Sequence, residues 1–270
     1  MWKVIEGIPF FHRYCHDVTL RQALNDSVCD ISLNILVTEP YGIELGELRR
    51  IYGRGLPFAT FVDLAKQIFA VMNFLHNVSS FFCPNYDSTI KKNLIHRDIT
   101  PSKFTIVRSD ETGDRKMGHI LLKDFGLAKI TKQRDNDGDV VDIQRQLNRS
   151  RIIGTTRFIS EHVMGRDTPS YRDDLISCCY VLREMTDEGL PWSNNDRYVA
   201  DDNMLAMKRD TDGTSLFGDS SIWRSAAYSY QSPDCSSLVQ LFDLFKNLDW
   251  MDQPDFKLKV SKGILPLFNY

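Results

Sequence analysis

The chain has 270 residues, 42% of them hydrophobic, which is enough for one sizeable core or two small lobes. Its 33 basic and 36 acidic residues leave a formal charge of −3, so there is no electrostatic footprint for nucleic acid or for an anionic membrane. No uninterrupted apolar run approaches the roughly 18 residues of a membrane helix. The start, "MWKVIEGIPFF", lacks the order of basic, apolar and small residues that marks a signal peptide. Six cysteines form no CxxC pair, which argues against a zinc cage and for reduced thiols, with Cys178 and Cys179 packed in an apolar stretch. The expectation is a soluble protein of the cytoplasm or nucleus.

In chain order, residues 29–39, "CDISLNILVTE", are rich in β-branched and apolar side chains and predict a strand that "PYG" then breaks. "YGIELGELRRIYGRG" opens a helix. From Thr60, the positions Phe61, Leu64, Ala65, Ile68, Val71, Met72 and Leu75 follow helical spacing over about four turns. An irregular stretch leads to His96-Arg97-Asp98. "KFTIVRSDETGDRKMGHILLKDF" predicts two short strands joined by an Asp-Glu-Thr-Gly turn region, and it delivers Asp124-Phe125-Gly126. Residues 131–156 are polar and predict an exposed, mobile segment. Residues 173–186 are apolar almost all round and predict a buried central helix. A last amphipathic helix follows Pro233, carried by Leu238, Leu241, Phe242, Phe245 and Leu248. The fold class is α+β: mainly helical, with one strand pair before the catalytic motifs and another between them.

A lone His-Arg-Asp or Asp-Phe-Gly would be weak, because short strings recur by chance. Here they stand in a fixed order, with a strand pair between them and Gly154-Thr155 and Asp174 following. Phosphoryl transfer asks a protein chiefly for positioning and charge neutralisation. Asp98 fits the carboxylate that orients a hydroxyl and accepts its proton, with His96 and Arg97 completing the catalytic turn. Asp124 fits the hard oxygen ligand that holds magnesium against nucleotide phosphates.

These motifs resemble the casein kinase 1 family of protein kinases, in particular its tau-tubulin-kinase-like and nematode-type branch. "GIP" at 7–9 resembles the entry to the fourth strand of that family's N-lobe. "LVTEPYG" resembles its hinge, which implies Thr38 as gatekeeper and Glu39 to Tyr41 along the adenine edge. "HRDITPSKF" resembles HRDIKPSNF, "GTTRFIS" stands where the family has GTxRYAS, and "YRDDLISCCYVLREMTDEGLPW" and "LFKNLDWMDQPDFKLKV" resemble its later helices. The likeness runs from about residue 7 to residue 268. It implies a kinase-like fold over residues 1–270, with 1–39 a remnant of the N-lobe sheet up to the hinge and 40–270 the C-lobe. ATP, magnesium and a protein substrate or protein partner are implied with it.

The departures cluster on nucleotide handling. Lys103 stands where the family has a metal-binding asparagine. An ammonium has three donors and no acceptor, so it cannot ligate a cation. At an effective dielectric of 20, unit charges 4 Å apart interact by about 4 kcal/mol, and a divalent ion doubles the repulsion. Lys103 either costs the site its metal or supplies positive charge itself, to a nucleotide phosphate or to Asp124. Thr100 replaces the lysine that neutralises the transferring group. Only residues 1–6 precede Gly7, leaving no room before it for a glycine-rich loop, a strand lysine and its helical glutamate partner. "SSFFCPNYDSTIKK" reads as an insertion in a surface loop. Arg157 matches an arginine that binds phosphate on primed substrates, but its basic companion is matched by Asp196, with Arg197 beside it. Two functions remain open from sequence: a catalytically impaired pseudokinase or binding module, or an active serine/threonine kinase seen as an N-terminally truncated product.

Overall fold

The structure, a computed structural model, describes residues 11–24, 27–38, 42–53, 55–77, 94–107, 118–134, 140–142, 145, 150–193, 201–219, 235–250 and 252, with backbone alone for 11–24, 27–38, 132–134, 140–142 and 201. The first described unit is an antiparallel pair, β1 (Phe11–Leu24) and β2 (Ser27–Thr38), running from Leu24 opposite Ser27 to Phe11 opposite Thr38 with two register irregularities. β2 covers most of the predicted 29–39 strand.

The rest is mainly helical. β3 (Ile43–Glu44) runs straight into α1 (Leu45–Tyr52), which ends where Gly53 adopts φ 64° and returns its N–H to Arg49 O at 3.0 Å. α2 (Phe58–His76) buries Phe61, Leu64, Ala65, Ile68, Val71, Met72 and Leu75, the positions picked out by their spacing. By length and composition alone α2 is apolar enough to cross a membrane, but its buried face packs on the central helix of the core. After it come β4 (Leu94–Ile95), β5 (Phe104–Val107), β6 (His119–Leu122), β7 (Lys129–Ile130), β8 (Lys132–Arg134) and β9 (Val140–Asp142). β3, β5 and β6 form one antiparallel sheet, while β4 pairs with β7 and β8 with β9. The strands β5 and β6 are the pair expected between the two catalytic motifs.

The helical remainder is α3 (Glu161–Met164), α4 (Tyr171–Glu184), α5 (Asp201–Asp210), α6 (Gly213–Phe217) and α7 (Ser236–Lys246). Every residue of α4 is buried, polar ones included. α2 and α7 pack against it, with His76 of α2 meeting Tyr171 at 5.0 Å between ring centroids and Phe242 of α7 meeting Tyr180 at 5.8 Å. Cys178 and Cys179 are free thiols inside this core, and burial pushes both thiols well above their ordinary range, so neither is a ready nucleophile. The result is a mixed α+β fold, mainly helical with small antiparallel sheets.

In the polar segment 131–156 the side chains among the described residues are mostly exposed or half-buried, in line with the expected exposure, and Thr131 is the one buried among them. Thr131 is fully buried and bonds the Tyr171 hydroxyl, and β8 pairs with β9. Arg145 forks onto Asp167 at 2.7 and 3.2 Å and lies over the Trp250 ring. At Thr131 polarity did not mean exposure, because a tertiary partner satisfies its hydroxyl.

Candidate active site

The site is built on a turn that the backbone does not favour by itself. β4 delivers His96, and Arg97 then adopts φ 67°, a left-handed conformation that costs a non-glycine residue roughly 1–2 kcal/mol. One buried carboxylate holds it there. Asp174, in the first turn of α4, accepts from His96 N–H at 2.7 Å and from Arg97 N–H at 2.9 Å, and His76 Nε2 lies 3.2 Å from the same group. The helix N-terminus is also where a carboxylate is electrostatically favoured.

His96 is fixed as a neutral ring of one tautomer. Its Nε2–H donates to Lys123 O at 3.1 Å, and Nδ1 accepts from Asp98 N–H at 3.3 Å. Burial depresses its proton affinity, against the pull of nearby Asp174, Asp98 and Asp124. A histidine with a depressed folded pKa binds fewer protons folded than unfolded, so stability is full above the ordinary value of about 6.5 and falls as pH drops through it. Urea midpoints measured from pH 7.5 to 5 are expected to decline by at most about 1.4 kcal/mol per pH unit from this group. His162 is shifted the same way by burial. The difference in slope between wild type and His96→Asn therefore isolates His96, and equal slopes would refute its part.

Asp98 is engaged on both oxygens. Oδ1 accepts from Thr155 N–H at 3.0 Å and from Thr155 Oγ1 at 2.8 Å, and Oδ2 lies 3.2 Å from Lys103 Nζ. Thr155 is brought in by Gly154, whose φ of 98° and close approach leave no room for a side chain: a Cβ there would sit 2.5 Å from Arg97 O. Lys103 ends the short 3-10 turn Pro101–Lys103, and the same ammonium bonds Asp124 Oδ2. Asp124 is itself left-handed, at φ 65°, with Oδ1 accepting from Gly126 N–H at 3.4 Å. The Lys103 bond holds the Asp124 carboxyl below its usual range, with partial burial opposing. Burial works against the charge on Lys103, and its bonds to Asp124 and Asp98 outweigh it, so the ammonium titrates above its ordinary range. Thr100 is buried and bonds Ser102 Oγ at 2.9 Å.

His96, Arg97, Asp98, Lys103 and Asp124 thus come together as expected from the sequence. Thr38 closes β2, its side chain outside the described residues; Glu39, Tyr41, Asp196, Arg197 and the insertion at 79–92 also lie outside them. Arg157 is engaged by Glu184 at 2.8 Å, so its guanidinium already has an anion. The sequence reading missed Lys123 and Glu44, which pair at 2.6 Å beside Asp124 and line with it, Ser102 and Lys103 a cavity of about 340 Å³. The available signal was a lysine directly after the apolar run "HILL".

Two carboxylates near one another suit a divalent cation, but Lys103 already lies between them, and among the described residues no group of three or more acidic, histidine or cysteine side chains is arranged to hold a metal. Magnesium does not fit this donor set while the ammonium is in place.

No family model matches the chain. It is 29% identical over 160 residues to casein kinase I homolog 2 of Schizosaccharomyces pombe, a match covering 59% of this chain. That match supports a casein-kinase-I-like relationship and a protein-kinase-like domain. The chain spans about a third of the length of this curated relative, 32% of it being covered.

Proposed function

We propose that this chain is a kinase-like binding module of the casein kinase 1 type, nearest in pattern to the tau-tubulin-kinase-like branch, and that it is catalytically impaired. The observation carrying this is the Lys103 ammonium shared by Asp98 and Asp124. A general base needs a free lone pair facing the hydroxyl it activates. Here the Lys103 ammonium lies against Asp98 Oδ2, and the carboxylate that would gather a metal and its nucleotide is paired with the same lysine. The partner is a protein, in keeping with the formal charge of −3, and the compartment is the cytoplasm or nucleus, where the buried thiols stay reduced. The purified chain, incubated with labelled ATP, magnesium and casein, is expected to transfer no more phosphate than an Asp98→Asn variant. Transfer that depends on Asp98 would sink the proposal.

A second reading is favoured by the turn itself. Asp174 holds the backbone of His96 and Arg97, and Thr155 aligns Asp98, an arrangement suited to an active serine/threonine kinase passing the γ-phosphate of ATP to protein hydroxyls. A longer product of the same gene, carrying a glycine-rich loop and strand lysine, would then phosphorylate casein in an Asp98-dependent way. If the longest transcript encodes neither element, this reading fails.

A further inference from the structure

Each carboxylate at the 340 Å³ cavity is matched with a lysine. Lys123 takes Glu44, and Lys103 takes both Asp124 and Asp98. Two features make Lys103 more than a chance surface partner. Its side chain is only 18% exposed, and its backbone is fixed at both ends, N–H to Thr100 O at 3.0 Å and C=O receiving Lys123 N–H at 2.9 Å. The ammonium is therefore delivered to the carboxylate pair by a rigid turn and the adjoining sheet.

We propose that Lys103 is a resident counter-ion that closes the Asp98–Asp124 pair to divalent cations, and that removing this one ammonium opens a metal site. It rests on the same bridge as the proposed function, but its test reads cation binding rather than phosphate transfer, so the two fail separately. The chemistry is a substitution of one cation for another. Asp98 and Asp124 reach a common ammonium, so their oxygens are close enough to share an ion. A hard cation takes carboxylate and carbonyl oxygens together with waters. Asparagine at position 103 would add a carbonyl oxygen, and methionine would remove the charge without adding a ligand. In wild type the ion would have to displace a charge-assisted bond and then sit against a like charge.

Mn2+ binding to the 270-residue chain, followed by the loss of the free-ion paramagnetic resonance signal, tests this. Wild type is expected to bind no ion through Asp124, so that Asp124→Asn changes nothing. Lys103→Asn and Lys103→Met are each expected to bind one ion, roughly a hundredfold tighter than wild type or more, and Lys103→Asn/Asp124→Asn to lose it. Circular dichroism identifies any variant that fails to fold, and the other then decides. Asp124-dependent Mn2+ binding by wild type, or no gain in a folded Lys103 variant, overturns the inference.

Discussion

Asp174→Ala is expected to destabilise the chain by about 3–5 kcal/mol, measured as a shift in the urea midpoint, and to open the catalytic turn. The carboxylate is buried and serves His96 N–H, Arg97 N–H and His76 Nε2 together. Alanine leaves these donors facing apolar packing, and each buried group without its acceptor costs about 1–3 kcal/mol. Part of the loss is offset as Arg97 relaxes from its left-handed conformation, worth about 1–2 kcal/mol. The net effect is a large fraction of the roughly 5–15 kcal/mol that stabilises a domain. Hydrogen exchange at the His96 and Arg97 amides should accelerate at the same time. Asp174→Asn keeps one acceptor oxygen and is expected to fall between the two. If Asp174→Ala matched wild type in both measurements, the carboxylate would not be what holds the turn.

Lys208→Met should cost about 2–4 kcal/mol and loosen the segment that presents Thr155 to Asp98. Lys208 is fully buried, and its ammonium donates to Thr156 O at 2.6 Å and Ile159 O at 2.7 Å. It also lies 5.3 Å from the Tyr180 ring centroid and 5.2 Å from that of Trp192, within cation–π range. Methionine keeps most of the volume but leaves two inward carbonyls without their donor. The neighbouring, exposed Arg209 is the control, and Arg209→Met should change stability by no more than about 0.5 kcal/mol. Equal effects of the two substitutions would show that Lys208 contributes only as a solvated helix residue does.

Local patterns carried much of the fold. The apolar spacing of α2 and α7 is a property of consecutive residues, and the buried faces fall on the positions it marks, except Leu248, which lies past the end of α7 and is half-buried. The apolar character of "LISCCYVL" likewise marked α4 as central. The candidate site was legible through short motifs, since the turn residues His96, Arg97 and Asp98 and the aspartate Asp124 are recognisable wherever the strands place them. Harder to read was "DDNMLAMKRD", where Lys208 belongs to a polar run and shows no sign of burial until Thr156 and Ile159 arrive from far along the chain. Lys123 was overlooked for a similar reason, its partner Glu44 being distant in sequence.

The sequence by itself determined the main helices, the two strand pairs, and the presence of an aspartate pair with a lysine in the wrong place for a metal ligand. It left two outcomes for that lysine, and only the tertiary structure decided between them. Lys103 reaches Asp98 along its own turn, but Asp124 comes to it through the register of β5 with β6, in which Phe104 faces Leu122. Periodicity and motif spacing are local and survive in a string of letters. Whether a charge repels, pairs or lies free depends on what non-local packing sets within a few ångströms of it.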